Sequence, residues 1–73
     1  MNKQDAMRLL DLSGHEDYKI TKIYENGFKA IRTNEWIKSE LYCEVLTDNV
    51  KSINENNYYD LISIAVMVIE RYQ

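Results

Sequence analysis

Residues 22–31 read KIYENGFKAI, and two physical rules compete for them. Ile20, Ile23, Tyr24, Phe28 and Ile31 fall at helical spacing. Asn26-Gly27, set between apolar and β-branched residues, is instead a short-range hairpin signal. A helix would carry glycine in its middle at about 1 kcal/mol relative to alanine, with asparagine adding part of another. The Tyr, Ile and Thr density before the turn favours a strand. A type I′ turn needs positive φ at both central positions, which Asn and Gly supply. We therefore expect residues 18–25 and 28–33 to be paired strands, with an all-α chain as the alternative.

The segments on either side must agree with that choice. In residues 36–45, WIKSELYCEV, the set Ile37, Ser39, Leu41, Cys43 and Val45 alternates with Trp36, Lys38, Glu40, Tyr42 and Glu44. That is a period of two. A lone hairpin is marginal in water, so this segment reads as strand three. Towards the N-terminus, Asn2 can cap a helix over residues 3–12, with Asp5 in its first turn. Ala6, Met7, Leu9 and Leu10 give that helix an apolar face, and Ser13-Gly14 ends it, Gly14 being free to turn left-handed. Residues 48–57 hold four of the seven asparagines and read as a polar connection, with a turn of structure around residues 50–53. Asn57 and Asp60 then open a last helix running to about Tyr72. The expected fold is α+β, helix–three-stranded antiparallel sheet–helix (αβββα), in a single domain over residues 1–73.

The totals exclude several classes of protein. Seventy-three residues make a marginal core, and chains this small often add disulfides, a metal or an oligomer. Cys43 is the only cysteine and His15 the only histidine, so neither a disulfide within the chain nor a metal cluster is expected. Cys43 reads as a small core residue in a reducing cytoplasm. The N-terminus has no apolar signal-peptide core. The longest apolar run, residues 61–69, is far short of the ~20 residues that span a bilayer. A cytoplasmic protein without a membrane segment is expected. Enzyme chemistry needs a paired set of groups, and nothing in the sequence brings His15 and Cys43 together. No catalytic residue and no cofactor is assigned.

The net charge of −3 conceals an asymmetry. Residues 18–38 carry five basic side chains against Glu25 and Glu35, and the remainder carries four against ten acids. A basic middle can be a nucleic-acid footprint. The αβββα order is that of the double-stranded-RNA-binding domain, whose last helix opens on a basic cluster. Here that position reads NENNYYDL, residues 54–61, without Lys or Arg. A stacking platform on the sheet is the other nucleic-acid option. Lys22, Arg32 and Lys38 would be its contacts beside Trp36 and Tyr42, although Glu40 and Glu44 share that face. Nucleic-acid binding through the sheet is kept as the alternative function.

Two resemblances bear on the whole. DAMRLLDLSG, residues 5–14, resembles the opening of a J-domain. That family's His-Pro-Asp motif has no counterpart in a proline-free chain whose one histidine precedes the segment in question. In its size, acidity, Asn/Tyr/Ile-rich composition and αβββα order, the chain resembles small phage-encoded host-takeover proteins, including anti-CRISPR inhibitors. That resemblance implies a non-enzymatic inhibitor that docks on a host protein, with Glu16, Asp17, Glu40 and Glu44 available for nucleic-acid mimicry.

Six tyrosines and Trp36 are more than so small a core easily hides, and Tyr and Trp are enriched at interface hot spots. Trp36, Tyr42, Tyr58 and Tyr59 are the expected anchors. The last helix would carry an apolar arc of roughly 200°, about twice what one sheet covers. Ile64 and Val66, with Met67 at the rim, are accordingly expected in a homodimer contact through that helix.

Overall fold

A computed structural model describes residues 1–71. Helix α1 spans Lys3–Leu12. The Asn2 side chain accepts the Asp5 amide at 2.9 Å, as its N-cap position requires. Ala6, Leu9 and Leu10 are its buried residues. Its end is a Schellman motif: the His15 amide donates to the Leu10 carbonyl at 2.8 Å and the Gly14 amide to the Asp11 carbonyl at 3.2 Å. Gly14 carries the φ of +76° that this closure needs.

The hairpin expected of residues 22–31 is present. Strand β1 is Lys19–Tyr24 and β2 is Gly27–Thr33, paired antiparallel with Tyr24 opposite Gly27. The two-residue loop is therefore Glu25-Asn26, one position earlier than the sequence suggests. Among the described residues only Gly14 has positive φ, so the type I′ turn at Asn26-Gly27 is not formed. Gly27 is required for another reason. It lies inside the sheet, and a Cβ there would drive into the backbone carbonyl of Cys43 on the neighbouring strand. Strand β3, Ile37–Val45, follows a turn in which the Asn34 side chain accepts the Trp36 and Ile37 amides at 2.8 and 2.7 Å. Its alternation is as read: Ser39, Leu41, Cys43 and Val45 are buried, and none of the residues between them is.

The C-terminal segment corrects the expected fold. After a short 3-10 turn, Val50–Ser52, helix α2 covers only Tyr58–Leu61, and the chain becomes strand β4 over Ile62–Arg71. The sheet has four antiparallel strands in the order β1-β2-β3-β4, not three, and neither αβββα nor the all-α alternative holds. The expected helix end at Tyr72 lies outside the described residues. The physical reason is side-chain branching. Ile62, Ile64, Val66, Val68 and Ile69 are all β-branched, stiff at χ1 and suited to a pleated surface. The Asn57 cap is absent too: its amide group instead bridges the polar loop, accepting the Asn54 amide at 2.7 Å and donating to the Ser52 carbonyl at 2.9 Å.

Helix α1 packs on one face of this sheet in two layers. Phe28, Ala30, Leu41, Cys43, Val45 and Ile62 project from the sheet into the same cluster as Ala6, Leu9 and Leu10, and Ile53 closes it from the polar loop. One buried polar pair lies within it, the Tyr18 and Ser39 hydroxyls at 3.1 Å.

Candidate docking surfaces

The register sorts every strand residue onto one of two faces. The face away from α1 carries Tyr24, Lys22, Lys29, Ile31, Glu40, Tyr42, Ala65 and Met67, and no side chain on it is buried. Its centre is aromatic and apolar. The Tyr24 and Tyr42 rings meet edge to face with centroids 6.0 Å apart, and the Lys22 ammonium sits 5.2 Å from the Tyr24 centroid. Met67, 65 % exposed, lies one diagonal step from Tyr42. The surrounding charges are mixed in sign and paired: Lys29 with Glu40 at 3.9 Å and Lys38 with Glu70 at 3.8 Å. Exposed pairs of this kind contribute about 0–1 kcal/mol each; their main consequence is to cancel the field a phosphate would need.

The second surface is the free edge of the sheet. Strand β4 pairs with β3 on one side only. On the helix side of the sheet, Ile62 is buried and Ile64 half-buried, but Val66 and Val68 are exposed because α1 does not reach them. A groove of about 290 Å³, lined by Ser13, His15, Tyr58, Tyr59, Ile62 and Ile64, opens where that coverage ends. His15 Nδ1 lies 3.0 Å from the Ser13 hydroxyl, and its ring meets Tyr18 edge to face at 5.3 Å. Val66, Met67, Val68 and Ile69 are each 44–65 % exposed, on both sides of the strand.

The residues expected at interfaces are thus dispersed. Tyr42 and Met67 share the outer face. Trp36, 64 % exposed, stands in the turn before β3 rather than on a strand face. Tyr59 is exposed, but Tyr58 is buried in the core and cannot serve as a free anchor. A hydrogen bond to Tyr59, together with burial, holds the Tyr58 phenol above its ordinary pKa. Ile64 and Val66 lie on β4 as strand residues, so a dimer contact through a C-terminal helix is not available.

The nucleic-acid set is not one surface. Lys22 and Lys38 lie towards opposite ends of the outer face, while Arg32 pairs with Ser39 on the helix-side row and bonds Asp17 at 2.6 Å. Asp17 and Glu40, two of the acids available for mimicry, are themselves ion-paired. Sequence reasoning missed Tyr24, Val68 and Ile69; the signal for the last two was their β-branched neighbourhood.

Burial pushes the Cys43 thiol up to about 11, which removes it as a nucleophile near neutral pH. Among the described residues no cluster of His, Cys, Asp or Glu is placed to hold a metal ion, and no helix is long and apolar enough to cross a membrane. Compared with protein-family models, with curated proteins and with solved structures, the chain matches none.

Proposed function

We propose that the chain is a non-enzymatic docking protein that binds another protein through the outer face of its sheet. The observation that carries this reading is the composition of that face: an uncovered Tyr24–Tyr42–Met67 centre ringed by charges of both signs. An aromatic and apolar centre within a polar rim is the anatomy of a protein interface. A phosphate-binding face would instead keep its lysines unneutralised. The compositional resemblance to phage takeover proteins extends the proposal: a host protein in the cytoplasm is the target, and blockade by occupancy is the mechanism.

The test is capture from a bacterial lysate, before and after nuclease treatment, with the unmutated chain beside a Tyr42→Ala, Met67→Lys double variant. One protein retained through nuclease treatment and lost from the variant supports docking by this face. Loss of all binding with nuclease, or equal capture by the variant, contradicts it.

A further inference from the structure

Of the seven asparagines, Asn26 alone precedes a glycine; the others are followed by Lys3, Glu35, Val50, Glu55, Asn57 and Tyr58. The pairing matters chemically as well as conformationally. A backbone nitrogen can attack the side-chain amide of the asparagine before it, and a side chain on the attacking residue obstructs the approach. Glycine has none. The step forms a bond from the Gly27 nitrogen to Cγ of Asn26 and breaks the Cγ–Nδ2 bond. The Gly27 amide proton passes to water, and Nδ2 takes up a proton and departs as ammonia. Water then opens the resulting succinimide. Cleavage at Cγ gives aspartate. Cleavage at the main-chain carbonyl gives isoaspartate, in which the chain continues through Cβ and Cγ. The sequence is redox-neutral and consumes only water.

We propose that Asn26-Gly27 is a deamidation site that the fold keeps closed, and that opening of the hairpin leads to an isoaspartate product unable to rebuild it. Asn26 is exposed, but Gly27 is buried, and the peptide units around it are held from both sides. Gly27 closes the hairpin opposite Tyr24 and lies opposite Glu44 on β3. The Asn26 carbonyl accepts the Val45 amide at 2.7 Å. To attack, the Gly27 nitrogen must leave its place in the ladder, shed its proton and turn towards the Asn26 side chain. The backbone has no slack for that turn, because Gly27 is packed directly against the Cys43 carbonyl. Reaction therefore proceeds from molecules in which this end of β2 has separated from its neighbours. Isoaspartate then makes the opening irreversible. It inserts a methylene between Cα of Asn26 and Gly27, and it turns the carbonyl that Val45 bonds into a free carboxylate. Such a chain cannot hold Val45 while setting Gly27 opposite both Tyr24 and Glu44. The site rests on the hairpin junction and stands independently of what docks on the outer face.

The test incubates the full chain in mildly alkaline buffer with and without denaturing guanidinium chloride, and locates the exchange of amide for carboxyl by peptide mass. In denaturant, conversion at Asn26 should outpace that at every other asparagine. In native buffer it should be slower by ~10²-fold or more, since it tracks the population of opened molecules. Ser39→Ala, which weakens the core away from the loop, should speed native conversion and leave the denatured rate unchanged. After removal of denaturant, the isoaspartate chain, separated by chromatography, should not regain native circular dichroism. Asn26→Asp, with the same added charge and an ordinary linkage, should fold normally. Equal rates in the two buffers would overturn the closure by the fold, and faster conversion at another asparagine would overturn the site. Native circular dichroism in the isoaspartate chain, or a misfolded Asn26→Asp chain, would overturn the structural consequence.

Discussion

Val66 sits directly opposite Leu41 in the β3–β4 ladder, on the same face of the sheet, yet Leu41 is fully buried and Val66 is 49 % exposed. One strand separates the centre of the core from its unfinished margin. Helix α1 has ten residues, and the sheet it lies on is four strands wide. The helix covers the first three strands and the beginning of the fourth, and the rest of β4 keeps a core-like composition without a covering layer.

Gly27 tests the packing of the hairpin. Because an added Cβ would collide with the Cys43 carbonyl, Gly27→Ala should destabilise by about 2 kcal/mol or more. On a domain of this size each 1 kcal/mol lowers Tm by roughly 4–8 °C. At Gly14 there is open space around the Cβ position, so only the cost of positive φ applies and Gly14→Ala should cost about 1 kcal/mol. Thermal denaturation of the two variants checks both the sign and the order.

The first of these positions shows what the sequence discloses. The hairpin was legible because Tyr, Ile and Thr crowd one side of an Asn-Gly pair. The turn type was not, because Asn-Gly is only a local signal. The pairing with β3 drew Gly27 into the sheet, where closeness of backbone rather than positive φ demands glycine. The C-terminal segment misled for a related reason. A continuous apolar run such as residues 61–69 fits a helix and a strand equally by periodicity, and the helix start at Asn57 and Asp60 is real but carries only the four residues of α2. Branching at Ile62, Ile64, Val66 and Val68 was the arbiter. Of the interface residues, Tyr42 and Met67 were legible by type. Their joining with Tyr24 on one face depends on the register of four strands, which no local pattern contains.

The Tyr18–Ser39 pair should behave as a closed unit. Ser39→Ala leaves the Tyr18 hydroxyl in the core without its partner and should cost about 1–3 kcal/mol. Adding Tyr18→Phe removes the orphaned hydroxyl and should recover part of that loss. Urea denaturation of the two single variants and the double variant measures the coupling.

Cys43 makes stability fall at alkaline pH. Its thiol ionises near 9 when unperturbed and near 11 when folded. Below pH 9 both states hold the proton and its contribution is constant. Between pH 9 and 11 the unfolded chain releases the proton while the folded one retains it, so stability is lost at up to about 1.4 kcal/mol per pH unit. Denaturant midpoints measured across that window should fall more steeply for the unmutated chain than for Cys43→Ala.

The chain should not bind single-stranded DNA or RNA at physiological salt. Arg32, Lys29 and Lys38 are held by Asp17, Glu40 and Glu70, and phosphate binding would first have to break those pairs. Fluorescence anisotropy with labelled oligonucleotides checks this. Submicromolar affinity that declines steeply with salt, and declines further on Lys22→Glu, would instead identify the outer face as a nucleic-acid platform.

The open edge of the sheet and its outer face both depend on residues 62–69 being an extended strand beside β3. Nuclear Overhauser contacts in the isotope-labelled chain read that directly. The expected result is strand-type sequential contacts through residues 62–69 together with cross-strand contacts from Val66 to Leu41 and from Ile64 to Cys43. Helical contacts between residues three and four apart over the same stretch, with none to β3, would contradict it.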